Sequence, residues 1–378
     1  MAIEIVDSPE RFATLNGEWN RLATAMPSPF LRHEWLAAGF AAYGTKHDLA
    51  VHILRRGDTM AAALPLRRTR SFPPRLELID RSGEPQMFLA SSEADATALL
   101  RSVAGERLAL DLPRLRMGSA DLAVAMAELA RHGKVVVRAR SSATARVHLL
   151  RGWEAVEEAM STQARAFLRR KKRMAEREGP VSFEEVVPDE ASAAKHLDEV
   201  FRIEASGWKA RAGTALLHNP ESLRFYRSFG LQAARAGILR IHYLRIANVA
   251  VAARLAVWHA QRLWELKIGY DEAWSRVSPG LLLTHESLKH ACETGCEAFE
   301  FLGQTDDWQK RWPLEIDEYS VVKFFPYSLP GATALVADAS AFATRRARAF
   351  IERTTRRREV KARPGIASNT PASEQDGQ

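Results

Sequence analysis

The chain has 378 residues, 46% of them hydrophobic and 26% charged, with a formal net charge of +8. That length exceeds what one hydrophobic core usually serves and predicts two domains, while no run approaches the roughly 20 apolar residues that span a bilayer. The only two cysteines, Cys292 and Cys296, lie four apart with no second pair or histidine cluster nearby, which argues against a metal site and fits a reducing, cytoplasmic setting.

In chain order, Met1 to Asp7 has no basic start followed by an apolar run and reads as a first strand rather than a leader. Residues 49–66 form a strand, a tight turn at Gly57-Asp58 and a second strand. The same pattern returns 190 residues later. Leu49-Ala-Val-His-Ile-Leu-Arg-Arg-Gly-Asp is matched by Leu239-Arg-Ile-His-Tyr-Leu-Arg-Ile-Ala-Asn, and Trp19 upstream is matched by Trp208. An internal duplication is expected. Residues 76–79 and 108–112 continue the first half, and residues 135–138 and 145–150 read as its last strands. The first domain is therefore expected over 1–150 and the second over 151–328. An Ala-rich, then Arg-rich helix follows over 329–363, and 364–378 has the small, polar composition of a disordered tail.

Within the second half, 162–178 reads as a basic helix with an apolar seam, 181–187 as a strand, and 190–205 and 221–236 as helices. Residues 239–246, 249–258 and 262–268 form a meander. A loop, a helix over 279–294 and a strand over 298–302 follow, and such a crossover joins parallel strands. The fold class is α/β with a mixed sheet, built as two similar halves.

Chemistry concentrates between Lys267 and Leu283. Ser278 is placed to cap the helix, Pro279 suits its first position, and Gly280 leaves room for a ligand. The free N–H groups and positive dipole end of such a helix start favour an anion such as a pyrophosphate. Alternation on the preceding strand puts Glu265 and Lys267 on one face. Glu265 is the first candidate general base, with Lys267 tuning it or the two forming a plain ion pair. Asp271 is the second carboxylate, open to a loop-capping role, and Tyr270 is a proton donor or a packed ring. His242 and His52 occupy equivalent strand positions, which suggests a fold-level role.

Residues 267–283, together with Trp153-Glu, the basic helix, Trp208-Lys-Ala-Arg and 303–312, resemble the CelD-type acetyltransferase family of cellulose biosynthesis. That family is related to the Fem-type transferases with tandem acetyltransferase-like domains. The resemblance implies two tandem GNAT-like domains and acyl transfer to an amine or hydroxyl. The donor it implies is acetyl-CoA or another acyl-CoA, with no metal. The donor is expected against Arg276, Ser278, Pro279, Gly280 and Leu281. The Trp208 loop is a candidate substrate pocket, with Trp208 as a wall and Lys209 or Arg211 to hold an anion. Lys310 and Trp312, after the last core strand, are candidates to face the same cleft or plain loop residues. The sequence departs from the usual Gln/Arg-Gly-Gly/Ala loop, with Ser275, Ser278 and Gly280 standing in, so a thioester donor is the safer expectation. The acceptor is a small molecule or envelope precursor. The basic helix and tail leave open an acidic acyl carrier protein or peripheral contact with an anionic membrane. No motif for nucleic-acid recognition is present. Two other classes stay open, an aminoacyl transferase using charged tRNA and a non-catalytic accessory protein of polysaccharide biosynthesis.

Overall fold

The computed structural model describes residues 1–44, 48–79, 83–207, 216–303 and 305–362, with side chains through Arg348. It is a mixed α/β fold built on one 13-stranded sheet. The strands are β1 (Ala2–Val6), β2 (Leu49–Arg56), β3 (Thr59–Arg68), β4 (Arg75–Leu78), β5 (Leu89–Ala90), β6 (Ala109–Arg116), β7 (Gly133–His148), β8 (Val181–Val186), β9 (Leu239–Ile246), β10 (Val249–His259), β11 (Arg262–Tyr270), β12 (Ala298–Phe301) and β13 (Glu315–Pro326). Their spatial order is β1-β2-β3-β4-β6-β13-β7-β12-β11-β10-β9-β8, with β5 beside β3.

That order reads the same from both ends if each first-half strand is matched with its second-half counterpart. In each half an antiparallel meander ends in a parallel pair, β4 with β6 and β11 with β12. The central strands are exchanged. β7 leaves the first half to pair with β12, and β13 leaves the second half to pair with β6. The two meet along a long antiparallel seam from Glu315↔Arg146 to Pro326↔Gly133. Each half thus completes its sheet with a strand from the other. The repeated hairpins are both present. Gly57 and the pair Ala247 and Asn248 take the positive φ values that tight turns demand.

Helices cover both faces. On one face, the helices His33–Tyr43, Glu190–Ala205 and Pro220–Arg235 share a single core that joins the halves. Trp35, fully buried, packs edge-on against Phe225 and Phe229, each at 4.7 Å between ring centroids. Edge-to-face geometry of this kind adds to the area the rings bury. On the other face the cores are separate. Glu93–Gly105 and Ala120–Leu129 cover the first half, while Thr162–Glu176 and Pro279–Glu293 cover the second. The helix Leu329–Ala362 follows the last strand. No helix among the described residues is long and apolar enough to cross a membrane.

One expectation needs correction. Residues 135–138 and 145–148 belong to one 16-residue strand, β7, because its exposed middle is held by pairing with β13, and Leu149 and Leu150 lie beyond its end. Of the two cysteines, Cys296 is buried and Cys292 half-buried, and burial pushes the Cys296 thiol up to about 12.

Candidate functional site

The site begins where two parallel strands part. β11 and β12 pair from Arg262↔Ala298 to Glu265↔Phe301, and there β12 ends. Gly303, at φ +84, turns the chain away. β11 continues to Tyr270 along β10 but bulges on the way, since Ala256 faces Glu265 and Leu255 faces Lys267, with Leu266 as the extra residue. Bulges bend a strand and re-aim its side chains. The opening between the two strands is a cavity of about 620 Å3. One wall is Glu265 to Tyr270 with Ser275, Ser278, Gly280 and Leu281, and the other is Leu302, Gly303, Asp306, Trp308 and Gln309. Among the described residues the matching first-half pair carries no such bulge, since β4 pairs with β3 without a shift in register.

The bulge overturns the shared face expected for Glu265 and Lys267. Leu263 and Glu265 lie toward the Pro279–Glu293 helix, but Lys267 turns to the opposite face, its Nζ 4.7 Å from the centre of the Tyr226 ring. Simple alternation fails there because one extra residue reverses every side chain beyond it. Glu265 is instead paired with Arg254, whose Nη2 lies 2.7 Å from Glu265 Oε2. Arg254 is wholly buried, packs 5.0 Å from the centre of the Phe299 ring, and donates from Nη2 to Thr284 Oγ1 at 2.7 Å. Thr284 in turn donates to the carbonyl of Gly280 at 2.9 Å. One chain of contacts therefore runs from the carboxylate in the cavity to the helix start.

The helix start also differs from expectation. Ser278 adopts a left-handed conformation, φ 55° and ψ 56°, and its side chain makes no capping bond. In that conformation its carbonyl accepts from Leu281 N and Leu282 N at 3.0 and 3.2 Å. Pro279 has no N–H, so the amide of Gly280 is what the first turn leaves for an anion. Ser278, Gly280 and Leu281 line the cavity, and Pro279 is buried beneath them. A Cβ on Gly280 would meet the Tyr270 ring at 3.2 Å, so the glycine is what lets that ring lie against the first turn.

The remaining expected residues scatter. Asp271 caps the short helix Glu272–Val277, accepting from Ala273 N at 3.0 Å. Arg276 points outward and pairs with Glu178. Lys310 pairs with Asp307 at the surface, and Trp312 is buried with Phe299 and Phe301 in the core. Neither Lys310 nor Trp312 lines the cavity, because the turn Gln309–Arg311 sends one out and the other in. Trp208, Lys209 and Arg211 lie outside the described residues.

Two cavity carboxylates escaped the sequence reading. Glu204 falls in the buried row Leu197, Val200, Phe201, Glu204 of its helix, and an acid on an apolar stripe was a legible signal. It accepts from Leu216 N at 2.9 Å. Glu84 arrives from the connection between β4 and β5 in the first half, and nothing in its local pattern marks it. With Glu265 and Asp306 they make four carboxylates among the described residues that line the cavity.

Behind the site, under the same helix, lies a second buried polar group. His242 is fully buried, with Nδ1 2.8 Å from Ser287 Oγ and Nε2 2.9 Å from Glu185 Oε2. His290 Nε2 lies 3.3 Å from the other Glu185 oxygen. Burial raises the Glu185 carboxyl, but its hydrogen bonds with His242 and His290 outweigh that and bring it to about 2. Burial pushes His242 down to about 4. The unfolded chain takes up this proton near pH 6.5 and the folded chain only near pH 4, so stability falls as pH drops through that window. Going from about pH 7.5 to about pH 5 is expected to cost about 2 kcal/mol through His242, a loss that His242→Gln removes. Denaturant titrations across that range check this, and equal pH slopes for the two proteins would contradict it.

Residues 162–310 match the family model of the acetyltransferase (GNAT) domain. No curated protein matches the chain at a significant level. Among solved structures, FemX is similar over 85% of this chain and 97% of its own, with a TM-score of 0.57 and 11% identity. A conserved protein of unknown function from Bacteroides thetaiotaomicron covers 85% of this chain and 100% of its own, with a TM-score of 0.54 and 11% identity. The C-terminal domain of a putative lysylphosphatidylglycerol synthetase from Agrobacterium fabrum covers 87% and 96%, with a TM-score of 0.51 and 14% identity. At these identities the likeness is one of fold. The matched domain contains β11, β12, the bulge and the helix start.

Proposed function

We propose that the cavity between β11 and β12 transfers an acyl group from a CoA or carrier thioester to an amine or hydroxyl. The observation that carries this reading is the cavity itself, opened at the Leu266 bulge beside the left-handed helix start at Ser278. An extended thioester arm lies between the parting strands, with its phosphates toward Ser278 and Gly280. Glu265 takes a proton from the acceptor, which for an ammonium ion frees the nitrogen lone pair. The nitrogen or oxygen then attacks the thioester carbonyl, and an amine loses its second proton to solvent as the intermediate collapses. The C–S bond then breaks, and Tyr270 protonates the departing thiolate. Glu84 and Glu204 form the acceptor side and favour an amine that arrives as an ammonium ion, so the first half contributes to substrate choice. The resemblance to CelD-type proteins supports a role in polysaccharide or cell-envelope metabolism.

Incubating the purified chain with acetyl-, longer acyl- and carrier-linked donors and a panel of amines and sugar alcohols tests this. Acyl transfer that Glu265→Gln lowers by about 100-fold or more supports it. No transfer and no donor binding across the panel would reject it.

A second reading, aminoacyl transfer from charged tRNA, draws on the fold shared with FemX and on the basic helix Thr162–Glu176. Salt-sensitive tRNA binding without CoA binding would favour it.

A further inference from the structure

We propose that Arg170, Lys171 and Arg311 form a collar at the rim of the cavity that binds a phosphate group of the donor. The three cations converge on one half-buried ring. Arg170 lies 5.5 Å from the centre of the Phe167 ring, Lys171 5.5 Å and Arg311 5.1 Å. They are therefore held within about a Debye length of one another, where like charges repel. Their neighbours are neutralised, Lys172 by Glu286, Arg276 by Glu178 and Lys310 by Asp307. Among the described residues, none of the three collar cations forms an ion pair.

The collar is fastened to both cavity walls. Lys171 Nζ donates to the carbonyl of Arg276, on the segment that carries Ser275 and Ser278 into the cavity. Arg311 Nη1 donates at 3.1 Å to the carbonyl of Trp308, on the opposite wall. Burial, with Arg170 and Arg276 nearby, holds the Lys171 ammonium below the ordinary lysine range. A cluster of like charges beside a cavity, tied by Lys171 and Arg311 to the segments that form its two walls, is relieved by an anion. The two guanidiniums offer the forked donors that suit a phosphate.

This rests on the cavity being the donor site, and the test separates the two ideas. Binding of CoA and of dephospho-CoA is measured by calorimetry at low salt, for the wild type and for Arg170→Gln/Arg311→Gln. Both substitutions are at solvent-facing or half-exposed positions, and a melting curve confirms that the fold is kept. A loss of about tenfold or more for CoA alone assigns the collar to the 3′-phosphate, and an equal loss for both ligands assigns it to the diphosphate. Unchanged affinity for both overturns the collar while leaving the thioester-donor reading intact. If the wild type binds neither ligand, the donor reading fails, and titration with inorganic pyrophosphate decides the collar alone. Saturable binding that the variant loses sustains it, and no binding overturns it.

Discussion

Arg254→Met is expected to destabilise the chain by about 3–5 kcal/mol, the usual cost of leaving a buried charge without its partner. Arg254 has no exposed surface, and the side chain of Glu265 is only 7% exposed. Removing the guanidinium leaves that carboxylate without a counter-charge and Thr284 Oγ1 without its donor. The double variant Arg254→Met/Glu265→Gln is expected to recover most of the loss, because both charges are then gone. Denaturant unfolding of the two single variants and the double one measures the coupling. A single Arg254→Met variant within about 1 kcal/mol of the wild type would show that the pair is not what holds this part of the sheet.

The second large effect is expected in donor binding rather than stability. Gly280→Val places a branched side chain where a Cβ alone meets the Tyr270 ring at 3.2 Å. The ring has to move, and the space beside it is the cavity. Affinity for acyl-CoA is expected to fall about tenfold or more, a change of about 1.4 kcal/mol or greater. Stability should fall less than in the Arg254 variant, by about 1–3 kcal/mol, as overpacking usually costs. Calorimetry with a non-hydrolysable acyl-CoA analogue checks this. Unaltered affinity would mean that the helix start does not touch the donor.

The two expectations test different parts of one assembly. Arg254 links the carboxylate of Glu265 through Thr284 to the carbonyl of Gly280. The candidate base and the candidate anion site therefore share a support, and neither is free to shift without the other. Such coupling holds reacting groups in place more firmly than a site built on loops.

Much of the second half was legible because its signals are local. The helix Glu190–Ala205 and the strand Leu239–Ile246 follow directly from period and turn chemistry. The hairpin duplication was visible for the same reason. The exchange of β7 and β13 was not, since it pairs residues as far apart as Ser142 and Tyr319, and local pattern carries no information about such partners. The bulge at Leu266 was hidden in a run that alternates without a glycine or proline to mark it. Missing that one residue put Lys267 on the wrong face. Ser278 looked like an ordinary cap because its residue type fits, yet its left-handed conformation comes from the turn it closes. Glu84 was out of reach, because a first-half loop brings it to a second-half cavity.

A crystal structure of the chain with a bound acyl-CoA analogue tests the donor site most directly. The acyl thioester is expected between Leu266 and Leu302, its carbonyl carbon within reach of an acceptor next to Glu265, and the phosphates at Ser278 and Gly280. A donor bound elsewhere, or a cavity closed to it while transfer activity persists, would rule this placement out.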